Sequence, residues 1–286
     1  MRIIVTGSAG FIGSHLVSKH REQGDEVFCF DVKEKLGHDI QNGSAVREVF
    51  DKFNPDAVYH CAGQVQPSFG EERPYADLQV NLYGMINILK AMEGRDAKMV
   101  YTSTGAVYGL SPLPHKEDML CKPVCNYGIS KLAAEMYLQK WVATEGIDAK
   151  IVRFSSVYGP GRHYGPINIF LERAAEGRNI TIFGSGSQTR DFVHVDDVVQ
   201  GMKLVLERGG RGEVYNIGTG KETCVREVAK IINQLHPEAK IEYKRGAESV
   251  YDLPRSWFDI TKIQGLGYIS RMDLDLGIKS VDFELR

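Results

Sequence analysis

The sequence has no excess of either charge: 35 Lys and Arg stand against 37 Asp and Glu, a net charge of -2. That balance argues against a basic face for nucleic acid and against a polybasic membrane surface. No apolar run approaches 18 residues, so no membrane-spanning helix is expected. Cysteine is sparse and odd in number, and of the five only Cys121 and Cys125 lie close together. No second pair completes a zinc site with them, so no metal is expected. The five read as reduced thiols of a cytoplasmic protein. A signal peptide is not expected either, because Met1-Arg2-Ile3-Ile4-Val5 reads as a strand that runs straight into a glycine loop. Neither an internal repeat nor a low-complexity linker is evident. At 286 residues, 43% hydrophobic and 25% charged, the chain is excluded from the disordered class and can bury a large core.

What is present is alternation. In the first half, short β-branched runs at 2–6, 26–31, 57–61, 98–102 and 149–154 read as strands. Between them, helical patterns occupy 11–23, 45–53, 77–92 and 128–145. On the last of these Ile129, Leu132, Ala133 and Met136 share one side. Strands separated by helices predict βαβ units, hence an α/β fold with a doubly wound parallel sheet. After Gly159 the pattern is more mixed. Helices are expected at 167–176, 195–207 and 225–234, and short strands at 179–183, 214–217 and 240–243. This describes a smaller mixed α/β lobe on the C-terminal side, packed against the first across a cleft.

Gly7-Ser8-Ala9-Gly10-Phe11-Ile12-Gly13 follows the first strand and opens the first helix. Glycines in that place let the backbone turn tightly and approach a pyrophosphate, which then meets the helix N-terminus. The spacing is G-x-x-G-x-x-G, one residue longer in its first gap than G-x-G-x-x-G. A structural turn is the plainer alternative, and context decides against it. Asp31 closes the second strand 18 residues after Gly13. A carboxylate there accepts the ribose hydroxyls and repels a 2′-phosphate, favouring NAD over NADP, with Lys33 placed to soften that preference. Val32 lies beside it. Asp39 and Ile40 are candidates to border the adenine; Asp39 equally suits the N-cap of the following helix.

Tyr127 and Lys131 are four residues apart on a helix and share a face. A nearby ammonium favours phenolate, so Tyr127 is a candidate proton-transfer group near neutral pH. The turn at 102–109 follows a strand of the sheet, where ligands collect. Thr104 is the candidate hydroxyl for the reacting oxygen and Ser103 the second choice; a turn that satisfies only its own backbone is the alternative.

These motifs together resemble the extended short-chain dehydrogenase/reductase family acting on nucleotide sugars, most closely its UDP-glucose 4-epimerase-like members. The resemblance rests on Gly7, Gly10 and Gly13, Asp31, His60-Cys61-Ala62-Gly63, Asn81, Ser103-Thr104, Tyr127, Lys131 and Arg153-Phe154. It continues through 188–197 (Gln-Thr-Arg-Asp-Phe-Val-His-Val-Asp-Asp) and 215–220 (Tyr-Asn-Ile-Gly-Thr-Gly). It implies a Rossmann NAD-binding domain over 1–158, with returning segments near 188–218, and a nucleotide-sugar lobe mainly over 159–286. It implies that Tyr127 is the acid/base, that Lys131 binds the nicotinamide ribose, and that Thr104 bonds the sugar oxygen. Cys61, Ala62, Gly63, Asn81 and Ser103 would line the cofactor. Gln64, Ser103, Thr104, Tyr127 and Asn168 would face the substrate. Arg190 would hold the diphosphate, with Arg245 and Arg255 as candidates for a second contact. For Arg190 an ion pair with Asp191 or Asp196 is the alternative. His194, Asp196 and Asp197 read as packing and capping residues. A homodimer is implied through helices 77–92 and 128–145, with Met136, Tyr137 and Trp141 as candidate contacts.

Subfamilies differ just after the catalytic hydroxyl. The 4,6-dehydratases carry an Asp-Glu pair there, and the glucuronic acid decarboxylases a glutamate. Here Gly105 and Ala106 occupy those places, and neither moves a proton. The resemblance therefore implies a UDP-sugar 4-epimerase with retained NAD. Two alternatives stay open. The seven residues between Asp31 and Asp39 resemble the shorter connection of ketoreductases using NADH or NADPH, and Gly63-Gln64-Val65 resembles the C2-epimerase of a CDP-sugar. A catalytically silent NAD-binding protein on the same fold is the third reading.

Overall fold

The expected alternation forms a sheet in the computed structural model, which describes residues 1–35, 37–162, 164–245 and 253–285. The chain runs β1 (Arg2–Thr6), α1 (Phe11–Glu22), β2 (Glu26–Phe30), α2 (Gly43–Phe53), β3 (Ala57–His60), α3 (Pro67–Glu72) and α4 (Pro74–Leu78). A π-helical turn (Gln79–Tyr83) leads into α5 (Gly84–Met92), followed by β4 (Lys98–Thr104), α6 (Asn126–Thr144) and β5 (Asp148–Phe154). Then come β6 (Ser156–Tyr158), α7 (Pro166–Ala175), β7 (Ile180–Phe183), β8 (Thr189–Arg190), β9 (Phe192–His194), α8 (Val195–Arg208) and β10 (Val214–Ile217). The last elements are β11 (Thr223–Cys224), α9 (Val225–Leu235), β12 (Ile241–Lys244), β13 (Arg255–Ser256), α10 (Thr261–Gln264) and α11 (Leu274–Leu285).

Six strands form one sheet in the order β10-β5-β4-β3-β1-β2. Strand β1 pairs in parallel with both β2 and β3. The order therefore reverses at β1, and the crevice outside its C-terminal end is where such sheets bind ligands. The inner strands β1, β3, β4 and β5 are buried on both faces because helices cover both, while edge strand β2 is only partly covered. On one face Val46, Phe50 and Phe53 of α2 meet Met85, Ile88, Leu89 and Met92 of α5 over Ile4, Val58 and Met99. Each such side chain contributes about 1.5–3 kcal/mol on burial.

The chain divides into two compact units. The first comprises 1–111, 117–153 and 201–215, the second 112–116, 154–200 and 216–286. The returning segment is thus 201–215, where the sequence suggested 188–218. The core of the second unit gathers Ile167, Phe170 and Leu171 of α7, Ile180 and Ile182 of β7, Val228 and Ile232 of α9 and Ile278 of α11. Strands β7 and β12 pair in parallel, as do β6 and β9, and β8 lies between β11 and β13.

One expectation is corrected. The single helix expected over 77–92 contains a π turn, in which the Gly84 N–H reaches back five residues to the Gln79 carbonyl. The sequence left open which side of α6 turns inward, and the buried side is not the apolar one. The apolar stripe faces outward, with Ile129 50% and Met136 63% exposed. The buried stripe is Tyr127, Ser130, Lys131, Ala134, Glu135 and Leu138. The elements not anticipated are mostly strands of two or three residues, too short to show alternation.

Candidate active site

The phosphate loop is built backbone against backbone. Gly7 takes a left-handed φ of 69° directly after β1. A Cβ on it would lie 2.6 Å from the Ala62 nitrogen, and one on Gly13 would lie 2.1 Å from the Gly7 carbonyl oxygen. Only glycine allows that approach. Gly10 is the N-cap of α1, no side chain caps this helix end, and the first turn holds no acid. The end therefore offers its amides and its partial positive charge to an outside anion, and a dinucleotide pyrophosphate fits that cradle. Phe11 and Ile12 sit half-buried in the same turn, with Phe11 edge-on to His15.

Asp31 lies at the end of β2, and its carboxylate accepts from Ala9 N–H of the loop at 3.1 Å and from Lys33 N–H at 2.8 Å. The acid expected to read the ribose is thus fixed to the loop that holds the phosphates. Val32 beside it is exposed. Asp39 is not the N-cap of α2. That role belongs to Asn42, which accepts from Ala45 N–H, while Asp39 accepts from Gln41 N–H at 2.9 Å in a turn of its own. Ile40 is a core residue pressed on Gly84, where a Cβ would meet it at 2.5 Å. Only its backbone is left to border a nucleotide.

The segment after β3 is held by buried polar groups. Thr6 Oγ1 accepts from Ala62 N–H at 3.1 Å and bonds His60 Nδ1 at 2.7 Å. Burial pulls His60 down to about 3, helped by the Lys131 charge, and pushes the Cys61 thiol up to about 12. Neither exchanges a proton near neutral pH. Gln64 N–H donates to Asn81 Oδ1 at 2.9 Å, while the Gln64 side chain folds back onto the Gln66 backbone. A Cβ on Gly63 would lie 2.9 Å from Asn81 Oδ1 and 3.7 Å from Lys131 Nζ, so these three positions converge.

The catalytic candidates meet where α6 docks on the end of β4. Cys125 caps α6, its sulfur accepting from Gly128 N–H. Gly128 lets the helix start touch the turn, since a Cβ there would stand 2.8 Å from the Ala106 carbonyl oxygen. Tyr127 is buried on this helix start. Thr104 Oγ1 accepts from Ala106 N–H at 3.2 Å, which leaves its own proton to give to a ligand oxygen. Lys131 is buried, donates to the Thr102 carbonyl at 2.6 Å and lies 4.3 Å from the centre of the Tyr101 ring. Burial pulls its ammonium down to about 8. Ser103 is directed elsewhere, its hydroxyl donating to buried Glu135.

Two supporting networks were not anticipated. Asp77, 1% exposed, accepts from Ser130 Oγ at 2.5 Å, and Asn81 Nδ2 donates to Ser130 Oγ at 3.0 Å. The available signal was the spacing: Asp77 stands four residues before Asn81, and Ser130 directly before Lys131. Below the turn, Arg153 grips Glu135 with Nε at 3.1 Å and Nη2 at 2.6 Å.

In the second unit Arg190 lies in β8, Nη1 donating to the Thr189 carbonyl at 2.6 Å. Asp191 is taken up by Thr219 N–H and Oγ1 and by Gly220 N–H. Arg255 is held in a two-pronged pair by Glu222, both contacts 2.7 Å. In register, Ser256 and not Arg255 lies beside Arg190, so the two arginines leave the strands on opposite faces. Arg245 is exposed just after β12, and residues 246–252 lie outside the described residues. Buried Asn168 donates to the Gly159 carbonyl at 3.0 Å. His194 and Asp197 are structural, His194 accepting from Asp196 N–H and Asp197 from Arg271 and Met272 N–H. Among the described residues no group of His, Cys, Asp and Glu is arranged to hold a metal, and no helix is long and apolar enough to cross a membrane.

The chain is similar to known proteins. The family model described as "NAD dependent epimerase/dehydratase family" matches residues 3–218. A Methanocaldococcus jannaschii protein, provisionally assigned as a UDP-glucose 4-epimerase, is 36% identical over 98% of this chain and 96% of its own. Human dTDP-D-glucose 4,6-dehydratase is 32% identical over 97% of this chain and 88% of its own. The crystal structure of the Thermotoga maritima UDP-glucose 4-epimerase with UDP-glucose superposes with a TM-score of 0.92 at 31% identity, covering 99% of this chain and 98% of that one. By the family match and these relatives, the chain belongs to the NAD dependent epimerase/dehydratase family and takes NAD as its cofactor.

Proposed function

We propose that the chain is a UDP-sugar 4-epimerase working through a transient 4-keto sugar. The observation that carries this reading is the turn at the end of β4. Thr104 stands there with a proton to give, Tyr127 is docked beside the turn, and the next two residues are Gly105 and Ala106. Such a turn can move one proton at one hydroxyl and carries no acid at 105 or 106 with which to expel water or steer a decarboxylation. Bound NAD supplies the hydride acceptor and donor. Tyr127 takes the proton of the sugar hydroxyl and later returns one, and Thr104 holds the same oxygen by donating to it. Lys131 binds the nicotinamide ribose and lends its positive charge to Tyr127. Arg190 supplies a guanidinium for the diphosphate. The uracil base is favoured because the Thermotoga relative holds UDP-glucose. The outward stripe of α6, with Ile129, Met136 and Tyr137 exposed, supports a homodimer.

The test is to denature the purified protein, identify any released nucleotide by mass and absorbance, and incubate native protein with UDP-glucose. Released NAD together with formation of UDP-galactose is the expected result. A protein that yields no nucleotide and no epimer, yet reduces a 4-keto sugar with added NADH or NADPH, would overturn the epimerase reading in favour of a ketoreductase.

A further inference from the structure

We propose that Glu34 is a second cofactor-discriminating residue, which acts beside Asp31 to keep a 2′-phosphorylated dinucleotide out of the site. The inference rests on reading the 7–13 loop as the dinucleotide cradle. The chain turns sharply after β2, with Glu34 and Lys35 N–H both donating to the Asp31 carbonyl at 3.1 Å. This turn carries both carboxylates back to two successive loop residues. Asp31 accepts from Ala9 N–H at 3.1 Å, and Glu34 accepts from Ser8 Oγ at 2.8 Å. Ser8 is 3% exposed, so the glutamate is anchored on a buried hydroxyl although the residue itself lies at the surface. Cys29 on β2 feels the same charge: its thiol is pushed up first by burial and next by Glu34.

An acid at the end of the second strand reads the ribose 2′-hydroxyl, and a 2′-phosphate in that place carries between one and two further negative charges. Asp31 alone repels it. Glu34 adds a second carboxylate fixed to the loop through Ser8; Lys33 and Lys35 of the same turn are exposed as Glu34 is, but among the described residues no side-chain hydrogen bond fixes either lysine to the loop. The pyrophosphate is common to both dinucleotides, so its repulsion by Glu34 cancels in the NADP+ to NAD+ ratio and only the 2′-phosphate is discriminated. Glu34→Gln keeps an oxygen for Ser8 and removes only the charge.

The experiment equilibrates purified wild type, E34Q, D31N and the double variant with equal concentrations of NAD+ and NADP+. Unbound nucleotide is removed, the protein is denatured, and the released cofactors are quantified by mass spectrometry. The expected result is that E34Q raises the NADP+ to NAD+ ratio about tenfold at low salt and less at high salt, and that D31N multiplies the gain. A ratio unchanged in E34Q but raised in D31N overturns the role of Glu34 and leaves the cradle standing. An equal loss of both cofactors in E34Q makes Glu34 a latch of the loop and overturns discrimination. A ratio unmoved in both single variants overturns the reading of the β2 end as the ribose site.

Discussion

Glu135→Gln tests how the catalytic turn is held. Glu135 is 2% and Arg153 4% exposed, and the pair is clasped through two hydrogen bonds of 3.1 and 2.6 Å. Ser103 donates to the same carboxylate. Burial works against the guanidinium charge, but the hydrogen bonds and charge of Glu135 outweigh it, so Arg153 is held more firmly protonated than usual. Glutamine preserves the shape and removes the charge. Arg153 is then left buried without a counterion, and one of its N–H groups or the Ser103 hydroxyl faces an amide NH2. Breaking a buried pair in this way costs about 3–5 kcal/mol. At about 2–4 °C per kcal/mol, the melting temperature should fall by roughly 6–20 °C. Thermal and urea unfolding followed by circular dichroism measure it. The double variant Glu135→Leu/Arg153→Met should recover to within about 1 kcal/mol of wild type, because an apolar pair of similar volume replaces the ions. A loss under about 1 kcal/mol in the single variant, or a double variant as unstable as the single, would refute the claim that this pair is dry and that its charges depend on each other.

Tyr127→Phe should lower turnover about 10²–10⁴-fold while the protein still releases its nucleotide on denaturation; unchanged turnover in a UDP-glucose assay would remove Tyr127 from the chemistry. Lys131 has its folded pKa pulled below the unfolded value, from 10.5 to about 8, so between those pH values the unfolded chain binds the extra proton. Stability therefore rises with pH across that window, by up to about 3 kcal/mol from this group. The difference in urea stability between wild type and Lys131→Met, followed from pH 7 to 10, should rise in that direction, and a flat difference would contradict the burial argument. Gly13→Ala puts a Cβ 2.1 Å from the Gly7 carbonyl oxygen. Overpacking of this kind costs about 1–3 kcal/mol, so the loop should open and NAD binding weaken about 10-fold or more by equilibrium dialysis. Full retention would mean that the loop tolerates what the geometry forbids.

The phosphate loop was legible because its requirement is local. Gly10 and Gly13 answer to the Gly7 carbonyl a few residues away, Gly7 takes a positive φ in the turn itself, and a strand before with a helix after fixed their meaning. The pairing of Tyr127 with Lys131 was legible for the same reason, since helical spacing alone puts them on one face. Which face turns inward was not. Periodicity sends apolar residues to the core, and on α6 that rule names Ile129, Leu132, Ala133 and Met136. The helix instead buries Ser130, Lys131 and Glu135. Burying such groups is costly unless each is paired, and the partners come from far along the chain. Lys131 finds the Thr102 carbonyl, Ser130 finds Asp77, and Glu135 finds Arg153 and Ser103. The π turn has the same origin in distance, because Asn81 on that turn reaches both Ser130 and the Gln64 N–H. A single pass along the sequence sees the polar residues but not the partners that make their burial possible.

That inversion also explains why the catalytic pair was easy to read and its support was not. A tyrosine and a lysine at the start of a helix advertise themselves by chemistry. A glutamate eight residues after the tyrosine, on an otherwise ordinary helix, reads as a solvated surface charge. Its position is decided by Arg153 on β5, which lies next to β4 in the sheet. The carboxylate thus ties three elements together: α6 that carries Tyr127 and Lys131, β4 that carries Ser103 and Thr104, and β5 between them and the edge of the sheet. The proposed proton transfer from a sugar oxygen needs Thr104 and Tyr127 held to within a fraction of an ångström of each other's working positions. Those two residues sit on elements with no covalent link shorter than 22 intervening residues. The buried Ser103–Glu135–Arg153 chain fastens these elements to one another, so in the proposed reaction the positions of Thr104 and Tyr127 depend on a network set beneath them.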